Sequence, residues 1–198
     1  MATRSDTTKT RMYEAALALI AEKGFSGTTV DEIVERAGVA KGTVYYHFTG
    51  KAELVEALIA DRLAPLEARF REAVATAPDP RTTLEALVRA ELEWIRDNRA
   101  FSKMLVTELW REERVWHDTL VALRRTIIEY FERAIRDGIA EGVFRSDIDA
   151  PFAASALFGM TVTSALDWLV FSPTTPIESV AEQIRRLTSM AVASDGKA

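Results

Sequence analysis

The sequence predicts an all-α chain of about nine helices, with a small helix-turn-helix unit first and a larger helical domain after it. Apolar residues recur at three- and four-residue spacing along most of the chain, and no run alternates apolar and polar residues as a half-buried strand would. Helix start and stop signals divide the chain at ordinary helical lengths. At 198 residues, 48% hydrophobic and 28% charged, it can bury a core without metal or disulfide support. It has no cysteine, which removes disulfides and thiolate metal sites. No uninterrupted apolar run reaches the roughly 18 residues of a membrane span. The opening "MATRSDTTKTRMYEAA" has no apolar signal core, so a cytoplasmic chain with no membrane partner is expected.

The first helix is expected from about Asp6 to Gly24, with Met12, Ala15, Ala16, Leu19 and Ile20 on its buried side. In "TTVDEIVERAG", Thr29 and Glu32 stand at capping-box spacing, so a second helix starts there and ends at Gly38. A third, of two turns, runs from about Ala40 to His47, with the row Ala40, Val44 and Phe48 facing the core. The fourth opens near Gly50 and reaches about Ala75, with a kink expected at Pro65 because proline removes one backbone bond. Asp79 and Pro80 have the order of a cap and a first helical residue. Helices over about 80–97, 99–109 and 115–141 follow, then one from Asp149 to about Phe171. Thr175 and Glu178 again have capping-box spacing, ahead of a last helix carrying Val180, Ile184, Leu187 and Met190.

Two short helices joined by a tight Gly38-Val39 turn, behind a longer supporting helix, have the dimensions of a helix-turn-helix. On the third helix Lys41, Gly42, Tyr45 and Tyr46 fall opposite the core-facing row. Glycine costs a helix about 1 kcal/mol relative to alanine. Such a face suits a duplex: glycine admits a close approach, phenol hydroxyls donate to phosphate, and lysine neutralises charge. Thr29 caps a helix N-terminus, where free N–H groups favour a phosphate, and Lys51 lies in the first turn of the fourth helix. The net charge of −5 opposes nucleic-acid binding in bulk, yet residues 1–55 hold seven Lys/Arg against seven Asp/Glu, so DNA binding has to be local.

The stretch "KTRMYEAALALIAEKGFSGTTVDEIVERAGVAKGTVYYHFTGKAELVEAL", residues 9–58, resembles the DNA-binding domain of TetR/AcrR family transcriptional regulators. The resemblance implies residues 1–52 as the DNA-binding domain and 53–198 as an effector-binding and dimerisation domain. It implies a homodimeric regulator, most often a repressor, that binds a palindromic double-stranded operator with its third helix in the major groove. Carried onto this chain, Thr29, Tyr46, His47 and Lys51 correspond to phosphate contacts, and Lys41, Gly42, Thr43 and Tyr45 to the residues nearest the bases.

The resemblance also implies a small-molecule effector bound between helices of the second domain. Trp94, Phe101, Met104, Trp110, Trp116, Phe158 and Trp168 are the candidate lining, since aromatic and methionine side chains suit an adaptable apolar cavity. Few ionisable groups interrupt these stretches, which favours a largely apolar ligand. The same residues at helical spacing also suit plain core packing. The last two helices resemble the family's dimer interface; Ala153, Ala156, Gly159 and Thr163 permit close helix approach, and Leu187 and Met190 add apolar contact.

No HExxH, nucleophile elbow, GxGxxG or metal-spaced carboxylate set occurs, so an enzyme, a metal and a cofactor are not expected. The alternative is a helical protein-interaction module without DNA binding. Lys41, Gly42, Tyr45, Tyr46 and Lys51 count against it.

Overall fold

The computed structural model describes residues 4–109 and 117–192. Among them are nine helices and no strand: α1 (Arg4–Lys23), α2 (Val30–Ala37), α3 (Lys41–His47), α4 (Lys51–Thr76), α5 (Pro80–Asp97), α6 (Arg99–Leu109), α7 (His117–Ala140), α8 (Ala150–Phe171) and α9 (Ile177–Val192). The chain packs as two units, one of residues 1–63 with 100–121, the other of residues 64–99 with 122–198.

In the first unit, α1 buries Met12, Ala15, Ala16, Leu19 and Ile20, the stripe its periodicity predicts. These meet a core that includes Ile33, Val34 and Ala37 of α2, Val44 of α3 and Leu54, Val55 and Leu58 of α4. The capping box forms: Thr29 Oγ1 accepts from the Glu32 N–H at 3.3 Å, and the Thr29 N–H donates back to Glu32 Oε2 at 2.8 Å. At the other end Gly38 adopts φ 61°, ψ 40°, and the Val39 N–H closes onto the Val34 carbonyl at 3.2 Å. A side chain at Gly38 would be strained by that φ, and its Cβ would lie 2.7 Å from Arg11 Nη2.

One expectation about α3 fails. Ala40 is exposed and forms the N-cap, with extended φ −69° and ψ 142°, so only Val44 and Phe48 of the predicted row are buried. A cap residue lies outside the helical repeat, so the four-residue rule does not carry its side chain onto the buried face.

Helix α4 continues for 26 residues with Pro65 inside it, its ring on the exposed side. In the second unit, Phe70 near the end of α4 is fully buried and meets the rings of Tyr130 and Phe131 of α7 edge-on, at 5.5 and 5.6 Å. Asp79 caps α5 by accepting from the Thr82 N–H at 2.8 Å, and Asp149 caps α8 by accepting from the Phe152 N–H at 2.9 Å. The Asp79 cap falls where the sequence predicts it, and α8 opens at the predicted place. Phe144, in the α7–α8 connection, lies over Gly138, where an added Cβ would be 2.1 Å from its ring. Helix α5 packs against α8 and α9.

The capping box expected at α9 does not form there. The helix begins at Ile177, after Pro176, while the Thr175 carbonyl accepts from Trp168 Nε1 at 2.9 Å and Glu178 faces Arg89 of α5 at 3.9 Å. Helix α8, 22 residues long, is long and apolar enough to cross a membrane, although no single run in it is uninterrupted. Its Ser, Thr and Gly residues break the run but barely lower its average hydropathy. Ala154, Leu157, Thr161, Ala165, Trp168 and Leu169 are buried within the unit, and much of the remaining apolar surface is open.

Candidate nucleic-acid interface

The helix-turn-helix geometry follows from its two ends. Gly38 reverses the chain after α2, and the Arg11 guanidinium of α1 donates to the Gly38 carbonyl at 3.0 Å, placing a cation where the α2 dipole ends. Val44 and Phe48 then anchor α3 from one side, with the Tyr13 ring 6.1 Å from that of Phe48. The opposite side is open: Lys41 and Gly42 are exposed, Tyr45 is 55% exposed and Tyr46 is 84% exposed. Thr43 and His47 are half-buried at its margins, and the Tyr46 ring meets His47 edge-on at 5.0 Å.

A Cβ placed on Gly42 would meet nothing within 4 Å. Packing inside the chain therefore does not require glycine there, although glycine weakens the helix by about 1 kcal/mol.

The electrostatics of this unit are less simple than the sequence suggests. Lys41 Nζ lies 2.8 Å from the carboxylate of Asp31 on α2, with both side chains well exposed. That hydrogen bond, then the carboxylate's charge, raises the lysine's pKa. Glu32 bonds Lys23 and both the hydroxyl and N–H of Thr29, and these contacts, Lys23 first, hold its carboxyl down to about 2. The Thr29 hydroxyl therefore already donates within the chain, although the residue is exposed.

The Lys51 cation is held from several sides. Its Nζ donates to the carbonyls of Phe25 and Thr28, each at 2.7 Å, and lies 4.2 Å from the centre of the Phe25 ring. Burial lowers its pKa, and Glu32 opposes that shift. Two of its three donors hold the loop between α1 and α2. This clamp, the Lys41–Asp31 pair and the Arg11 cap join residues far apart in the chain and leave no signal in the sequence.

The candidate effector residues divide between the two units. Trp94 and Trp168 are buried and Phe158 half-buried in the second unit, while Phe101 and Met104 are buried in the first. Trp110 and Trp116 lie outside the described residues. A groove of about 330 Å³ between α5 and α9 is lined by Leu84, Val88, Phe144 and Val192 together with Arg81 and Arg185, and none of the five described candidates lines it. The interface candidates lie on the open sides of α8 and α9: Ala156 and Thr163 are exposed, Ala153 and Gly159 half-buried, Leu187 55% and Met190 81% exposed.

Comparison with known proteins gives this geometry a lineage. Residues 13–58 match the family described as bacterial regulatory proteins, tetR family, and residues 77–192 match the tetracyclin repressor-like C-terminal domain. The HTH-type transcriptional repressor KstR2 of Rhodococcus jostii (strain RHA1) is 33% identical over 178 residues, covering 88% of this chain and 86% of that protein. The HTH-type transcriptional regulator SrpR of Pseudomonas putida is 29% identical over 163 residues, 80% of this chain and 74% of that one. Among solved structures, the ketosteroid transcriptional regulator KstR2 of Mycobacterium tuberculosis superposes with a TM-score of 0.75 at 26% identity, covering 94% of this chain and 95% of that one. The transcriptional regulator FadR from Bacillus subtilis, in complex with stearoyl-CoA, shares the fold with a TM-score of 0.80 at 18% identity, over 90% and 96%. Matched in both its helix-turn-helix unit and its C-terminal part, the chain belongs to the TetR family of DNA-binding transcriptional regulators.

Proposed function

We propose that this chain is a homodimeric repressor that binds a palindromic operator through α3 and is released by a small, largely apolar effector. The observation that carries the DNA-binding part is the two-sidedness of α3. Val44 and Phe48 are buried, while Lys41, Gly42, Tyr45 and Tyr46 share an open face with room for a duplex at Gly42. Lys41, Gly42, Thr43 and Tyr45 lie nearest the bases; Thr29, Tyr46, His47 and Lys51 serve the phosphates. Lys51 does so with its charge and remaining donor while it holds the loop that carries Thr29.

Unpartnered apolar surface on the last two helices supports the homodimer. Phe152, Val170 and Phe171 of α8 are 75%, 53% and 77% exposed, and Leu187 and Met190 of α9 are similarly open. Phe152, Ala156, Gly159 and Thr163 recur at three- and four-residue spacing along one open side of α8, and a largely apolar helix side of this kind calls for cover. A second copy covers it with the same surface, and a two-fold axis gives two reading helices for the two halves of a palindrome. Gly159, with open space at its missing Cβ, permits close helix approach.

The effector part rests on the aromatic content of the C-terminal domain and on a relative named for ketosteroids. Of the candidate lining, Trp94, Phe158 and Trp168 share the second unit, and the effector reading rests on these. A ligand shifts the operator equilibrium only by its differential affinity for the bound and released states. Genome-wide footprinting in the cytoplasm tests the assignment: protected palindromes support it, and absence of any sequence-specific protection overturns it.

A further inference from the structure

Glu91 of α5 is 1% exposed. It stands on the buried side of the helix with Leu87 four residues before it and Trp94 and Ile95 three and four after it. Its Oε2 has no hydrogen-bond partner among the described residues. The two arginines of α5 nearest to it along the helix are turned to other carboxylates, Arg89 towards Glu93 and Glu178 and Arg96 towards Asp97, and Arg81 lies ten residues away at the start of the helix. A carboxylate buried without a cation is so unfavourable that the group takes up a proton instead. Burial accordingly pushes its pKa well above the usual carboxylate range. The result is a neutral carboxyl inside an apolar unit, able to donate one hydrogen bond and accept others. A leucine would fill similar space without an unmatched polar group, so packing gives no reason for the acid.

We propose that Glu91 is the polar anchor of the effector site, hydrogen-bonding a hydroxyl or keto oxygen on an otherwise apolar molecule. The proposal rests on the effector-binding reading given above and adds the ligand's chemical class. A neutral oxygen group suits the site better than a cation, because a buried ammonium would bring its own desolvation cost and would require the acid to ionise. One hydrogen bond in an apolar surrounding then separates ligands that match it from those that do not, since an unsuitable ligand leaves the carboxyl unpaired.

Three probes with one ring system test this in the full-length protein: naphthalene, 2-naphthol and 2-naphthylmethylammonium, titrated against wild type, Glu91→Gln and Glu91→Leu. Wild type is expected to bind 2-naphthol at least about tenfold tighter than naphthalene, the effect of one well-placed buried hydrogen bond. Glu91→Gln should keep that preference within about threefold, while Glu91→Leu should lose it and melt at a higher temperature than wild type. Equal or undetectable binding of 2-naphthol and naphthalene by wild type overturns the proposal. So does a preference that survives Glu91→Leu, a preference for the ammonium probe, or a Glu91→Leu protein that fails to fold. The operator complex is assayed alongside. If some apolar compound releases DNA equally from wild type and Glu91→Leu, only the Glu91 assignment fails; if compounds that bind the protein never affect the operator complex, the effector reading itself fails.

Discussion

Lys41 Nζ lies 2.8 Å from the Asp31 carboxylate, so the cation on the reading face is already paired within the chain. Operator phosphates or base edges must compete with that carboxylate. Exposed pairs of this kind are weak, of order 0–1 kcal/mol, so competition is feasible but not free. Asp31→Asn is therefore expected to tighten operator binding about two- to fivefold at low salt, with the gain shrinking as salt rises. Fluorescence anisotropy of labelled operator measures it. Unchanged or weaker binding at low salt would show that Lys41 is not drawn away from Asp31 in the complex.

The Lys51 clamp leads to a prediction about stability as well as affinity. Lys51→Met keeps the stem and removes the two bonds to Phe25 and Thr28. Loss of charge-assisted bonds to part-buried carbonyls should cost about 1–3 kcal/mol, a fall of several degrees in melting temperature for a chain of this size. Calorimetry checks it. A melting temperature equal to wild type would mean that the loop is held by other contacts.

Glu32 links the cap to pH. Its carboxyl is held down to about 2, first by Lys23 and then by Thr29. The sign follows from linkage: a depressed folded-state pKa contributes stability that is fully present above the ordinary carboxylate value and is lost as pH falls towards about 2. An NMR titration of the Glu32 side chain should give a midpoint well under 4, and Thr29→Ala should move it upward. A midpoint at the ordinary value would show the capping box open in solution.

Phe70 tests the second unit alone. It is fully buried, with the rings of Tyr130 and Phe131 edge-on to it, and Phe70→Ala should cost about 3–5 kcal/mol. Denaturant unfolding measures this. A cost under about 1 kcal/mol would mean that those rings close over the space.

These cases also show why some features were legible in the sequence and others were not. Thr29–Glu32 and Gly38 are local signals: a cap and a left-handed glycine depend on neighbours within a few residues. Thr175 and Glu178 carry the same spacing, but the helix starts after Pro176 and Thr175 serves the Trp168 indole instead, a contact seven residues away that spacing cannot reveal. Lys41 and Asp31 are ten residues apart across a turn, and Lys51 reaches back to Phe25 and Thr28, so neither lysine's partner is visible before the fold is known. The aromatic residues of the C-terminal part read as one group, but their packing divides them between two units. Glu91 looks like any solvated helix glutamate until its burial is seen.

In the proposed function the open face of α3 meets DNA. The most direct measurement is operator affinity across a salt series for wild type and Tyr46→Ala, with dimer mass and helical content recorded for both. Tyr46 is 84% exposed, so its removal should leave fold and dimer intact while weakening operator binding by at least about fivefold. Wild-type affinity should fall steeply with salt as phosphate contacts release counterions. Equal affinity for the two proteins, or wild-type binding indifferent to salt, would mean that this face of α3 does not contact the operator.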